Sequence, residues 1–153
     1  MNKFSKSLVL ALALGGLSAA VSADDLIATQ GAGKSGSRTV ALDLSTGGDS
    51  TAFEFVVALP SDAKNVDVSG CLKALPASHS GQCVYNETTK EVTAIAFSAT
   101  NAKLSGMLNL GNIRYNSLQK VKGSAKIQGL VVANGTGGSV PSEIQTEDAS
   151  LGK

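Results

Sequence analysis

The sharpest chemical motif is Ala28-Thr29-Gln30-Gly31-Ala32-Gly33-Lys34-Ser35, a relaxed phosphate-loop pattern with Ala28 in place of the first glycine. That chemistry needs a helix directly after the loop, so that backbone N–H groups at its start face the phosphates. Residues 38–45 instead alternate as a strand does, so the segment is expected to be a flexible glycine-rich turn. Ser78-His79-Ser80 sets a nucleophile beside a base. Adjacent loop residues rarely hold Ser–His geometry, and no orienting carboxylate is close in sequence. His79, the only histidine, is therefore expected on a surface loop. A glycosidase needs two carboxylates at a set separation. Asp43 and Asp49 could supply them, but nothing in the sequence selects that pair. No catalytic residue is assigned.

Calcium would draw on oxygen ligands from Asp24, Asp25, Asp43, Asp49, Asp62 and Asp67. Their spacing is not that of an EF-hand, and solvated surface aspartates are the expected reading, so no metal site is assigned. Cys71 and Cys83 are the only cysteines. They lack the C-x-x-C spacing of a redox pair and the extra ligands of a zinc site. A structural disulfide is expected, and its short loop gives about 3 kcal/mol in the chain-entropy model.

Flat polysaccharide surfaces are gripped by exposed aromatic rings. The chain has no tryptophan. Phe53 and Phe55 fall on an alternating apolar face and are expected in the core. Of the remaining rings after residue 23, Phe97, Tyr85 and Tyr115, the two tyrosines alone are expected able to face a ligand, with half-buried strand residues as the alternative for both.

The elements that must position these residues begin after an export signal. Lys3 and Lys6 precede an apolar stretch over residues 8–17, and Val21-Ser22-Ala23 is the small-x-small pattern of a cleavage site. Cleavage is expected between Ala23 and Asp24. The apolar run is about half the roughly 20 residues a membrane span needs, and no later segment is long and apolar enough. Export places the two cysteines in an oxidising compartment and the glycine-rich turn away from nucleotides. The expected location is secreted or periplasmic. Removing residues 1–23 takes two lysines and no acids, so a whole-chain charge of +1 becomes about −1. That is no footprint for nucleic acid, which needs a clustered basic face.

The remainder is long enough for one domain with its own core. Its sparse charge and abundance of Gly, Ser, Thr, Ala and Val favour strands and turns. Residues 25–29 and 39–45 read as strands, the second with Val40, Leu42 and Leu44 on one face. Residues 51–59 alternate again, with Phe53, Phe55, Val57 and Leu59 together. Strands are also expected over 65–69, 82–86, 91–97, 108–115 and 124–133. In 108–115, Leu108 and Leu110 point inward, Ile113 and Tyr115 are further inward candidates, and Gly111 marks a bulge. Residues 139–153 form a polar, acidic tail or an edge strand. Eight or nine strands at this spacing predict an all-β fold, an antiparallel β-sandwich over residues 24–138.

Three stretches carry a family resemblance. Thr51-Ala52-Phe53-Glu54-Phe55-Val56-Val57-Ala58-Leu59-Pro60 is similar to an early strand running into a proline turn. Val92-Thr93-Ala94-Ile95-Ala96-Phe97-Ser98 is similar to a middle strand ending in a small residue. Leu104 to Tyr115, followed by Gly123, is similar to a closing half. Together they resemble a cohesin domain, or the cohesin-like branch of the carbohydrate-binding-module sandwiches. The resemblance implies a nine-stranded jelly roll and a role in binding. Cohesins bind dockerins, calcium-dependent modules, through one sheet face; their sandwich relatives bind polysaccharides. The Cys71–Cys83 loop departs from the cellulosomal pattern.

The expectation is a secreted, non-catalytic module that recognises a protein partner through a sheet face. A carbohydrate-binding module using Tyr85 and Tyr115 is the first alternative, and a structural or assembly subunit the second. Neither nucleic acid nor a membrane span is expected.

Overall fold

The computed structural model describes residues 23–118 and 125–148. The expected export signal lies outside these residues apart from its last position, as does the end of the tail after 148.

Strands β1 (Asp24–Ala32), β2 (Ser37–Thr46), β3 (Ser50–Ala58), β4 (Lys64–Asp67) and β5 (Ser80–Asn86) form the first half. Strands β6 (Glu91–Phe97), β7 (Gly106–Asn116), β8 (Lys126–Asn134), β9 (Ser139–Val140) and β10 (Ser142–Asp148) follow. They pair into two five-stranded sheets, ordered β10-β1-β2-β7-β4 and β5-β6-β3-β8-β9. The all-β sandwich is as expected, with two refinements, both from the tail. Residues 139–148 supply two strands, β9 on one sheet and β10 on the other. Pro141 separates them; lacking an N–H, it cannot continue a ladder, and the chain changes sheets there. Strand β10 then runs parallel to β1, while the other pairings are antiparallel.

Alternation decides which side chains meet between the sheets. Leu26 and Ala28 of β1, Val40, Leu42 and Leu44 of β2, and Leu110, Ile113 and Tyr115 of β7 are buried from one side. Phe53, Phe55 and Val57 of β3, Val92, Ala94 and Ala96 of β6, and Val132 of β8 meet them from the other. The Phe53 and Phe55 rings stack with centroids 6.0 Å apart. Full burial of such side chains contributes roughly 1.5–3 kcal/mol each, which makes this inner layer the main source of stability.

A bulge in β7 sets its register. Leu42 pairs with Gly111 and Asp43 with Asn109, so Leu110 is the extra residue. Gly111 has φ of +130° and lies against the 68–80 loop. The Gly70 carbonyl accepts from Asn112 N at 2.9 Å, and Ala74 N donates to Leu110 O at 3.3 Å. The Cys71–Cys83 disulfide ties the same loop to β5, with Cys71 fully buried. The anticipated bridge is therefore present, and it pins a loop that regular pairing alone leaves free.

Candidate functional site

The glycine-rich motif is no phosphate site. Strand β1 runs to Ala32, a single three-residue 3-10 turn covers Lys34–Gly36, and β2 begins at Ser37. No helix start faces the loop.

His79 corrects the expectation of a surface histidine, for it is only 8% exposed. Its Nδ1 lies 3.0 Å from Ser78 Oγ, while Nε2 is buried without a hydrogen bond of good geometry. Burial pushes the imidazole below its ordinary pKa, and the nearby Thr51 and Ala102 backbone only partly offsets this. A neutral, immobilised imidazole with no carboxylate behind it is a structural plug rather than a poised base.

The aspartates do not converge. Asp43 accepts from Asn109 Nδ2 at 2.9 Å on the outer face of the β1-containing sheet. Asp49 sits before β3 and pairs with Lys103 at 2.8 Å. That hydrogen bond and the adjacent charge hold its carboxyl below the usual range. Asp62 accepts from Ser117 Oγ and Leu118 N, and Asp67 from the N–H and hydroxyl of Ser69. Asp24 corrects the surface reading outright: it is fully buried, accepting from Gly47 N at 2.9 Å and from the Ser50 hydroxyl. Among the described residues no group of three or more His, Cys, Asp or Glu side chains is placed to hold a metal.

The tyrosines follow the alternative of buried or half-buried strand residues, not that of a ligand face. Tyr115 is 2% exposed, a core residue that cannot offer its ring to a ligand. Its inward direction follows from the alternation of Ile113 and Tyr115 beyond the Gly111 bulge. Tyr85 is half-buried and packs on the core, with its hydroxyl enclosed. In β5 it is the neighbouring Val84 that faces out, 53% exposed.

Val84 belongs to a surface the sequence did not reveal. On the outer face of the β5-β6-β3-β8-β9 sheet, Ile95 is 42% exposed, Phe97 50% and Val131 62%. The ladder lines them up. Phe97 sits beside Ala52, and Ala52 beside Ala133. Ile95 sits beside Glu54, and Glu54 beside Val131. Val84, Thr93, Val56 and Gly129 make the next row. The two upper rows enclose a shallow depression of about 190 Å³, with Glu54 its only charged lining residue. The remaining exposed large apolar side chains, Met107, Leu118 and Ile144, lie on or beside strands of the other sheet.

That other sheet is polar outside. Glu143, Asp25 and Ser45 form one row, which ends at the exposed Met107, and Gln145, Ile27, Asp43 and Asn109 form the next. The two outer faces thus differ in kind: one is an acidic, hydrogen-bonding surface and the other an apolar patch around a single carboxylate. A contiguous exposed apolar patch on a globular domain marks an interaction site. Flat sheet geometry suits a macromolecular partner better than a small ligand, which prefers an enclosing cleft. No helix among the described residues is long and apolar enough to cross a membrane.

No protein-family model matches the sequence, and no curated protein does. Solved structures do match the fold. The cohesin–dockerin complex Coh-OlpA-Doc918 of Clostridium thermocellum gives a TM-score of 0.59 at 12% identity, covering 83% of this chain and 99% of that one. Type II cohesin A11 of Bacteroides cellulosolvens gives 0.57 at 6% identity, covering 81% and 99%. A non-cellulosomal cohesin of the archaeon Archaeoglobus fulgidus gives 0.53 at 14% identity, covering 86% and 94%. The likeness spans bacterial and archaeal cohesins and nearly their full length, so the chain has a cohesin-like fold.

Proposed function

We propose that this protein is a secreted or periplasmic, non-catalytic recognition module that binds a protein partner through the outer face of the β5-β6-β3-β8-β9 sheet. The observation that carries the reading is the clustering of Val84, Ile95, Phe97 and Val131 on that face. The cohesin-like fold supports it, since one of the matching structures is a cohesin held in complex with a dockerin. The export pattern ending at Ala23, with the Cys71–Cys83 bridge, supports a location outside the cytoplasm. Glycan binding through Tyr85 and Tyr115 loses its basis, because both rings turn inward. Strand-addition assembly is disfavoured at three sheet edges, since β9 and β4 are short and β10 carries acids.

The test is capture from the native secretome by the immobilised protein, with Phe97→Asp and Ile95→Asp as face variants. Both side chains point to solvent, so the fold should tolerate the changes. A partner should bind about 30-fold more weakly to either variant, as for truncation of an interface hot spot. Thr39→Asp, on the opposite sheet, should leave capture intact. Equal capture by wild type and both face variants would refute the assignment of the face.

A further inference from the structure

The apolar face has a charge at its centre. Glu54 projects outward from the middle of β3, exposed, with Ile95 beside it on one strand and Val131 on the other. Neighbouring strands lie about 4.8 Å apart, so apolar side chains flank the carboxylate on both sides. Among the described residues nothing pairs with it: the one ion pair is Lys103 with Asp49, at the end of the sandwich. Lys126 shares the face, but its register partner is Ala58, four residues along β3. That is about 13 Å away at strand rise, beyond the Debye length of about 8 Å at physiological salt. Glu91, which also neighbours Ala58, competes for the same lysine.

An exposed carboxylate is well solvated by water. A partner that covers the surrounding apolar patch strips that water away, and an ion buried without a counter-charge is strongly disfavoured. A cation brought by the partner to that point meets the Glu54 charge within the apolar contact more fully than neutral donors, which leave the net charge buried. Resting on the reading of this face as the docking surface, we propose that the partner seats an Arg or Lys side chain on Glu54, within an apolar contact to Ile95, Phe97 and Val131. Glu54 is thus the specificity residue of the face. The same charge rejects other occupants. A second copy docked face to face about a two-fold axis brings two Glu54 carboxylates together. An anionic lipid surface meets an acid with no basic residue around it in the depression.

The test uses the full disulfide-bonded protein and a phage library of random peptides. Panning on wild type should enrich peptides with Arg or Lys beside large apolar residues. These peptides should bind Glu54→Gln about 30-fold more weakly or worse, as for loss of one partner of a desolvated charge pair. Panning on Glu54→Lys should enrich Asp or Glu in the same apolar setting. Thermal melting should show all variants folded, since the side chain is exposed and forms no hydrogen bond or ion pair among the described residues. Peptides that lose binding on Phe97→Asp yet carry no basic bias and ignore Glu54→Gln would overturn this inference and leave the docking face standing. Peptides that bind Phe97→Asp as well as wild type, or a library that yields no enriched peptide, would overturn both.

Discussion

Replacing Gly111 by alanine tests the β7 bulge and the loop packed on it. Two costs arise at one atom. The residue holds φ at +130°, where an alanine backbone is strained by about 1–3 kcal/mol. The added Cβ would also run into the Gly70 carbonyl oxygen, with the Cys71 carbonyl behind it. Backbone oxygen cannot swing aside as a side chain can. The loop must therefore move, weakening the Asn112 N to Gly70 O bond of 2.9 Å and the Ala74 N to Leu110 O bond of 3.3 Å. Overpacking of this sort costs about 1–3 kcal/mol. Together the expected loss is about 4 kcal/mol, which for a domain of this size lowers Tm by roughly 10–20 °C. Gly129→Ala is the internal control. It too lies in a strand, but its Cβ meets nothing within 4 Å, so it should change stability by less than about 1 kcal/mol. Thermal melting of the oxidised variants by circular dichroism decides the matter. If Gly111→Ala melts with wild type, the bulge and the loop contact are wrong as described.

Removing the disulfide in a Cys71→Ala, Cys83→Ala double variant should cost about 3 kcal/mol, read as a lower denaturant midpoint. The loss should be matched by reduction of the wild type. Asp24→Ala leaves the Gly47 N–H and the buried Ser50 hydroxyl without their acceptor, and should cost about 2–4 kcal/mol in the same assay; an unchanged midpoint would contradict the buried carboxylate. His79 has a folded-state pKa below its ordinary value because it is buried. The unfolded chain then takes up the proton first as pH falls, so stability is full above the ordinary histidine value and drops below it, at up to about 1.4 kcal/mol per pH unit. Denaturation at about pH 7.5 and about pH 5.5 should show this drop in wild type and not in His79→Gln; equal drops would remove His79 as the cause.

Alternation made the inner faces of β2 and β3 legible. Val40, Leu42 and Leu44, and Phe53, Phe55 and Val57, are apolar every second residue, and period two has one solution when only one face is greasy. Strand β6 defeats that logic. Val92, Ala94 and Ala96 go inside, yet Ile95 and Phe97 on the other face are as apolar. Size even points the wrong way, because the smaller set is buried and the larger ring exposed. The apolar outer face was therefore hidden by a strand apolar on both sides. The one available clue was that surplus itself: an apolar residue on each face of a strand in a two-layer fold means a face without a covering layer. In β5 the search for an exposed ring led to Tyr85, whereas the aliphatic Val84 is the residue that faces out. The burial of Asp24 and His79 had no local signal, since Gly47 and Ser50, which bond Asp24, and Thr51, whose backbone lies near His79, are distant in sequence and come close only in the fold. The cysteine pairing was legible because only one pairing of two cysteines exists.

The parallel zipping of β10 against β1 has a mechanical consequence. Asp24 opposes Ser142 and Gln30 opposes Asp148, so the chain enters β1 at one pole of the sandwich and leaves β10 at the opposite pole. A pull on the two ends therefore drags these strands past each other along their length. All seven register pairs between them are loaded together in shear, instead of parting one at a time as in a hairpin peeled from its end. Paired this way, the ends resist a lengthwise pull that would unzip a less favourable arrangement of the same hydrogen bonds.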